Sequence, residues 1–353
     1  MPFYVFYGYA RVWTFAAGLI HSLGWCQESA LRQDMLHGVV FTVLLSWIWM
    51  LVKLPFSIYA TFVIEEKYGF NKTTVGTFIG DIVKSQLLSV GFTALLLPLI
   101  LWVVDISGDN LVFYLVSVSV AFVLLLQILV PTFIIPLFYK YTELEEGELK
   151  QLILKEAEKT HVSVAEIKKI DGSRRSSHSN AFVSGIYPFR KVVLFDTLIE
   201  QHSNPEILAV VNHELGHVAH KHILRQVLST VVQLTIMFSL FSFCLGNMEI
   251  VKAFRFPQET KFVYLFLFNQ LYAPSEIIST LFVMRMIRQM EYQADDFAVK
   301  YGHGENLKKG LVNLFKRNKG PLSADPLYSA LHHSHPTLLE RMMNIDKQIK
   351  KGQ

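Results

Sequence analysis

The segment Asn204-Pro-Glu-Ile-Leu-Ala-Val-Val-Asn-His-Glu-Leu-Gly-His217 decides how this chain is read. Its apolar residues recur at helical spacing among good helix formers, and Pro205 suits a first turn. On a helix, His213 and His217 stand four residues apart and share a face, so both imidazoles can bind one Zn²⁺. Glu214 then lies beside the open metal position, where it can take a proton from water. The same five residues could also be two ordinary histidines on a soluble helix. A catalytic zinc needs three protein ligands and a free fourth position. His220 and His222 follow closely, but one rigid helix cannot easily wrap three ligands around one ion. The third ligand is therefore expected from a second helix, and the best candidate is Glu291-Tyr-Gln-Ala-Asp295-Asp296. Glu291 would reach the metal, while Asp295, four residues on, would bond a ligand imidazole N–H and fix its tautomer. A plain solvated acidic face is the simpler alternative.

Outward from this motif the chain is too apolar for an ordinary soluble enzyme. Of 353 residues, 52% are hydrophobic and 18% charged, against roughly 25% charged in soluble domains. Mean hydropathy is +0.34. With 27 Phe, 14 Tyr and 5 Trp, a disordered or nucleic-acid-coating chain is excluded. The net charge of +4 is too small to argue for an anionic partner, and Cys26 and Cys244 make no disulfide framework. A membrane-spanning helix needs roughly 20 mostly apolar residues. Leu36–Ile64, Gln86–Val104, Leu111–Phe138 and Val227–Gly246 meet that standard. A fifth run, Phe262–Ile287, carries Asn269, Gln270, Pro274 and Glu276, polar groups that should face a wet interior or other protein. A sixth, Val12–Trp25, is short enough to be partial or interfacial.

The expected order is N-terminal membrane helices over 1–138, a soluble insertion carrying the histidine helix over 139–225, two membrane helices over 226–288, and a C-terminal part of the metal domain over 289–353. Lys and Arg are plentiful in Glu65–Lys84 and Tyr139–Arg225 and absent from Asp105–Asn110. The positive-inside rule puts the first two in the cytosol, and the sequon-like Asn71-Lys-Thr73 with them, unglycosylated. The ending Lys350-Lys351-Gly352-Gln353 has the form of a dilysine retrieval address for the endoplasmic reticulum; a solvated basic tail is the alternative.

Several longer segments resemble one family. His213-Glu-Leu-Gly-His217 with Glu291-x-x-Ala-Asp295 is similar to the integral-membrane zinc proteases called type I CAAX prenyl endopeptidases. So are Phe62-Val-Ile-Glu-Glu-Lys-Tyr-Gly-Phe-Asn71, the stretch Pro136 to Leu149, Asp171-Gly-Ser-Arg-Arg-Ser-Ser-His-Ser-Asn-Ala181 and Ser334-His-Pro-Thr-Leu-Leu-Glu-Arg341. The resemblance implies a mainly α fold: a barrel of transmembrane helices enclosing a chamber, capped by a soluble α/β zincin-like domain. It implies cleavage of farnesylated CAAX proteins ahead of the modified cysteine, with a second upstream cut in some family substrates, at the endoplasmic reticulum or inner nuclear membrane. One zinc per chain would sit on His213, His217 and Glu291, with Glu214 as general base and Asp295 as supporting acid. Substrate would meet Asn180 and Ala181 along a strand edge, and His335 and Arg341. Family members usually carry a further span and about a hundred more N-terminal residues, so this chain looks as if it begins near their second span.

The residues themselves fit that chemistry. His335 is the natural oxyanion donor, since a histidine N–H stabilises developing charge, although His332-His333-Ser-His335 could be a surface cluster. Ser179 to Ile186 reads as a strand whose exposed edge could bind an extended peptide, or as an ordinary hairpin strand. Two competing functions remain: a membrane zinc protease clearing misfolded or translocon-stalled proteins, and a non-enzymatic membrane scaffold.

Overall fold

Long apolar runs become long helices wherever nothing interrupts them. This computed structural model describes residues 7–185, 190–320 and 324–352. It opens with α1 (Gly8–Ser22), α2 (Ala30–Tyr59), α3 (Val75–Ile106) and α4 (Leu111–Leu129). Helices α2 and α4 continue as π-helical stretches, Ala60–Glu65 and Val130–Ile134, near Pro55 and Pro131. Proline lacks the N–H that the regular ladder needs, and the widened turn absorbs the defect.

A mixed region follows: β1 (Tyr141–Glu143), α5 (Glu148–Lys159), β2 (Glu166–Ile170), β3 (Ala181–Ser184) and β4 (Lys191–Phe195). Besides the short helices Ile135–Phe138, Asp196–Gln201 and Met248–Ala253, the described residues form α6 (Asn204–Ala219), α7 (His222–Cys244), α8 (Lys261–Tyr272), α9 (Glu276–Lys300), α10 (Gly304–Arg317), α11 (Pro326–His332) and α12 (Leu338–Gly352). Among the described residues, Ala30–Glu65, Val75–Ile106, Gly108–Phe138 and His222–Cys244 are long and apolar enough to cross a membrane. At most 22% of the apolar window in any of them is buried inside the protein. Their side chains therefore need a solvent other than water. Helix α1, with 15 residues, is shorter than a span, as its sequence suggests.

The expected fifth span is not one helix. Helix α8 stops after 12 residues at a 3₁₀ turn, Ala273–Ser275, and α9 starts afresh at Glu276. Pro274 is the cause: its missing N–H and ring end the α8 ladder.

The chain divides into two compact units. The first takes Met1–Val63, Val75–Phe122 and Thr230–Glu276. Its core is aromatic, with Trp13 stacked on Phe262 at a 5.4 Å centroid separation and Phe41 fully buried beside them. Asp34 accepts the Phe262 N–H at 3.1 Å, which satisfies one orphan donor at the start of α8.

The second unit takes Ile64–Thr74, Val123–Ser229 and Ile277–Gln353. Its sheet has the order β1-β2-β4-β3. Strand β2 runs parallel to β4, and β1 and β3 pair antiparallel with their neighbours. Strand β3 is thus an edge. Phe195 N–H donates to the Asn180 carbonyl at 3.1 Å, and antiparallel residues alternate in facing their partner. Ala181 and Val183 consequently turn their N–H and C=O outward. One outward donor is already used, since the Ala181 N–H donates to Asn180 Oδ1 at 2.9 Å.

The short stretch Ile64–Thr74 is built into this unit. Ser177 N–H donates to the Phe70 carbonyl at 3.1 Å, and Lys72 N–H to that of Arg175 at 3.0 Å. Phe70 stacks on His178 at 4.1 Å, Lys319 Nζ reaches the Tyr68 carbonyl at 2.8 Å, and Thr73 Oγ1 bonds the Arg175 carbonyl at 3.0 Å. Two segments that look unrelated along the chain, Phe62–Asn71 and Asp171–Ala181, are in contact here. The strap pins the loop that leads into the edge strand.

Candidate active site

Helix α6 starts firmly. Ser203 caps it, with Glu206 reaching back to the Ser203 N–H at 3.0 Å in a reciprocal capping box. Ile207, Val211 and Leu215 are fully buried with Val192 and Leu194 of β4 and Ala181 of β3. This apolar face anchors α6 on the sheet and turns His213 and His217 to the opposite side.

Helix α9 crosses there, and Gly216 sets how close it comes. A Cβ at Gly216 would lie 3.0 Å from both Ala294 Cα and Phe297 Cβ. In an ordinary helix a Gly-to-Ala change is worth up to about 1 kcal/mol of stability. Here the neighbour is backbone in a packed helix and cannot yield cheaply. Gly216→Val should destabilise the protein by about 1–3 kcal/mol, the usual cost of overpacking. It should also lower metal content, since α9 carries Glu291; thermal unfolding and metal analysis of the purified variant check both.

His213 Nε2, His217 Nε2 and a Glu291 carboxylate oxygen converge, all within 4.8 Å of one another. The two nitrogens are 3.2 Å apart, His217 Nε2 is 3.4 Å from Glu291 Oε1, and His213 Nε2 is 3.5 Å from Glu291 Oε2. Ligands on a zinc tetrahedron, at about 2.0–2.1 Å from the ion, stand about 3.3–3.4 Å from each other. The three donors fit that ion in type and in spacing. His220, by contrast, stacks on His222 at 5.7 Å and lies outside the group.

Asp295 is fully buried and takes His213 Nδ1–H at 2.8 Å, the arrangement that leaves His213 Nε2 its lone pair. Arg341 clamps Asp295 with two bonds, Nε to Oδ2 at 2.9 Å and a terminal nitrogen to Oδ1 at 2.6 Å. Its other terminal nitrogen lies 4.0 Å from Glu291 Oε2. Burial pushes the Asp295 carboxyl up, but Arg341 and His213 outweigh it and hold it below the usual carboxylate range. Burial likewise pushes Glu291 up, and the hydrogen bonds from His213 and His335 more than reverse it. Glu214 goes the other way: burial raises its carboxyl, with His213 pulling against it and Glu291 adding to it. A carboxylate moved toward neutrality is a better proton acceptor at physiological pH. His335 donates from Nδ1 to Glu291 Oε2 at 2.7 Å with its side chain 64% exposed, so it sits at the mouth of the group.

The Arg341 clamp is a pairing the sequence does not announce, since it closes across 46 residues. It also sets the outcome at Asp295. Asp295→Ala should reduce metal affinity by about 10–100-fold, the cost of losing a partner behind a ligand. Because the Arg341 side chain is only 11% exposed, it should also lose about 3–5 kcal/mol of stability to an uncompensated buried charge. Adding Arg341→Met should restore part of the stability and none of the metal affinity.

Comparison with known proteins gives the family. A model described as CAAX prenyl protease N-terminal, five membrane helices, matches residues 1–140, and a peptidase family M48 model matches residues 143–349. This chain belongs to the M48 CAAX prenyl protease family. It is 37% identical over 365 residues to CAAX prenyl protease 1 of Saccharomyces cerevisiae, covering 97% of this chain and 79% of the yeast protein. It is 32% identical over 380 residues to the human CAAX prenyl protease 1 homolog, covering 96% and 78%. The crystal structure of S. mikatae Ste24p aligns with a TM-score of 0.89 at 35% identity, covering 98% of this chain and 82% of that one. The molecule is accordingly a multi-pass membrane metalloendopeptidase, mostly helical with one small sheet.

Proposed function

We propose that this chain is a zinc endopeptidase that removes the C-terminal tripeptide of prenylated CAAX proteins, with a further upstream cut on some substrates. The observation that carries the reading is the convergence of His213, His217 and Glu291, with Glu214 adjacent to His213 in the chain and in electrostatic reach of Glu291, in a chain whose relatives are named CAAX prenyl proteases. In this reading the three converging residues hold the ion. Zinc, when bound, polarises a peptide carbonyl and acidifies water to a pKa near 7. Glu214 accepts the proton of the attacking water and returns it to the leaving amine. Strand β3 receives the peptide as an added strand, using the outward groups of Ala181 and Val183; Asn180 must release the Ala181 N–H as the substrate arrives. His335 stabilises the developing oxyanion. Arg341 acts through Asp295, and substrate contact falls to the terminal nitrogen turned toward Glu291.

In this reading the metal unit faces the cytosol or nucleus from the endoplasmic reticulum membrane, a sidedness that the basic loops support. The expected chamber gives the exposed Asn269 and Glu276 a watery surrounding. The test is direct. The purified protein is incubated with a farnesylated CAAX peptide, with and without a chelator, and products are mass-measured. Chelator-sensitive release of the tripeptide is expected. Equal cleavage of the unprenylated peptide would move the reading to a protease of misfolded or stalled chains, and zinc binding without cleavage of any peptide to a scaffold.

A further inference from the structure

His213 is backed by a carboxylate, but His217 is not. Its Nδ1 meets His222 Nδ1 at 2.9 Å, and His222 is almost fully buried. Two ring nitrogens at that distance share one proton, and geometry alone does not say which holds it. The next links do. His222 Nε2 lies 3.0 Å from Gln293 Oε1, and the same oxygen receives Arg225 from a terminal nitrogen at 2.8 Å.

We propose that Arg225, Gln293 and His222 form a one-way hydrogen-bond relay that locks His217 in the tautomer whose Nε2 lone pair points at the metal. This rests on the reading of His217 as a ligand. Arginine has donors only and stays charged in proteins, so the Gln293 atom it touches must be the amide oxygen. That settles the orientation of the amide. An oxygen can only accept, so His222 carries its hydrogen on Nε2. His222 Nδ1 is then a lone pair and can only accept, so His217 Nδ1 carries the hydrogen. His217 Nε2 is left bare, facing His213 Nε2 and Glu291. Every step follows from the one before, and the direction is imposed by a cation outside the metal group.

The backbone makes this possible. Helix α6 ends at Ala219, and Lys221 takes a left-handed conformation, φ 54°. Its N–H donates to the Val218 carbonyl at 3.0 Å. Helix α7 begins at the next residue, which folds the His222 ring back against His217, 4.9 Å between centroids. His222 is thus a positioning residue rather than a ligand. It is the neutral counterpart of Asp295, and each ligand imidazole has its own partner on its far side.

The test reads metal affinity, not turnover. The full chain is purified in detergent, stripped, and titrated with zinc against a chromophoric chelator. Apo-protein thermal midpoints are recorded for each variant. His222→Phe keeps a ring without an acceptor and should weaken zinc by about 10–100-fold. His222→Asn places an oxygen where Nδ1 stood and should recover most of that loss. Gln293→Lys presents a donor to His222 and should weaken zinc, whereas Gln293→Glu keeps an acceptor and should not. The relay is overturned if His222→Phe binds zinc as wild type does, or if His222→Asn is as weak as His222→Phe, which would make the role one of volume. Should His222→Phe fail to fold as apo-protein, the Gln293 pair decides, and equal affinities for Lys and Glu there sink the idea. Wild-type protein that binds zinc with this pattern yet leaves farnesylated peptide intact defeats the functional reading alone. Cleavage by wild type with flat affinities across the variants defeats the relay alone.

Discussion

Replacing Glu214 by alanine should leave zinc content at the wild-type level and lower hydrolysis of a farnesylated CAAX peptide by about 10²–10⁴-fold, the usual contribution of a positioned general base. The separation of the two readouts follows from the geometry. Glu214 adjoins the donor group without supplying one of its three atoms, so its loss removes a proton acceptor and no ligand. Glu214→Gln, nearly the same in shape, should be as inactive as the alanine variant, which assigns the effect to proton transfer rather than packing. Wild-type turnover in either variant would mean that another group accepts the proton.

Glu291→Ala should do what Glu214→Ala does not: empty the metal site and abolish activity together. Two histidines alone make a weak site for an ion that takes four ligands. The affinity loss should exceed the about 10–100-fold expected at Asp295, because a direct donor is removed rather than a partner behind one. The carboxylate also accepts from His335 at 2.7 Å, so the alanine variant frees that ring as well. Metal analysis after dialysis reads the result. Full occupancy would transfer the third ligand elsewhere, with His335, His222 and His220 the histidines nearest to hand.

The donor set was legible from spacing because helices repeat. Four residues return to the same face, which finds His213 with His217 and Glu291 with Asp295 from the sequence alone. What spacing misses is whatever closes between elements. Arg341 reaches Asp295 across 46 residues, and His222 reaches His217 only because Lys221, a residue without a glycine's freedom, adopts a positive φ. The edge position of β3 depends on a strand order, β1-β2-β4-β3, that no single strand's pattern contains. The fifth apolar run is a related case. Its hydropathy extends over its full length, whereas a 3₁₀ turn at Ala273–Ser275 interrupts its helix after 12 residues. Composition is summed along a chain, but a helix ends at one residue.

The strap formed by Ile64–Thr74 has a consequence for how the molecule is made. The unit that carries the metal group draws on three separated stretches, the first laid down before residue 75 and the last after residue 276. A ribosome therefore delivers the strap first, the histidine helix next, and Glu291, His335 and Arg341 last of these. Until α12 emerges, Asp295 has no Arg341 to hold it and His213 no fixed partner. Synthesis order acts as a delay: the nascent chain can insert its spans and dock its strap, but it cannot become a peptidase before Arg341 has been added. For the same reason a fragment expressed from Tyr141 onward would hold every metal-site residue and still lack a piece of its own fold.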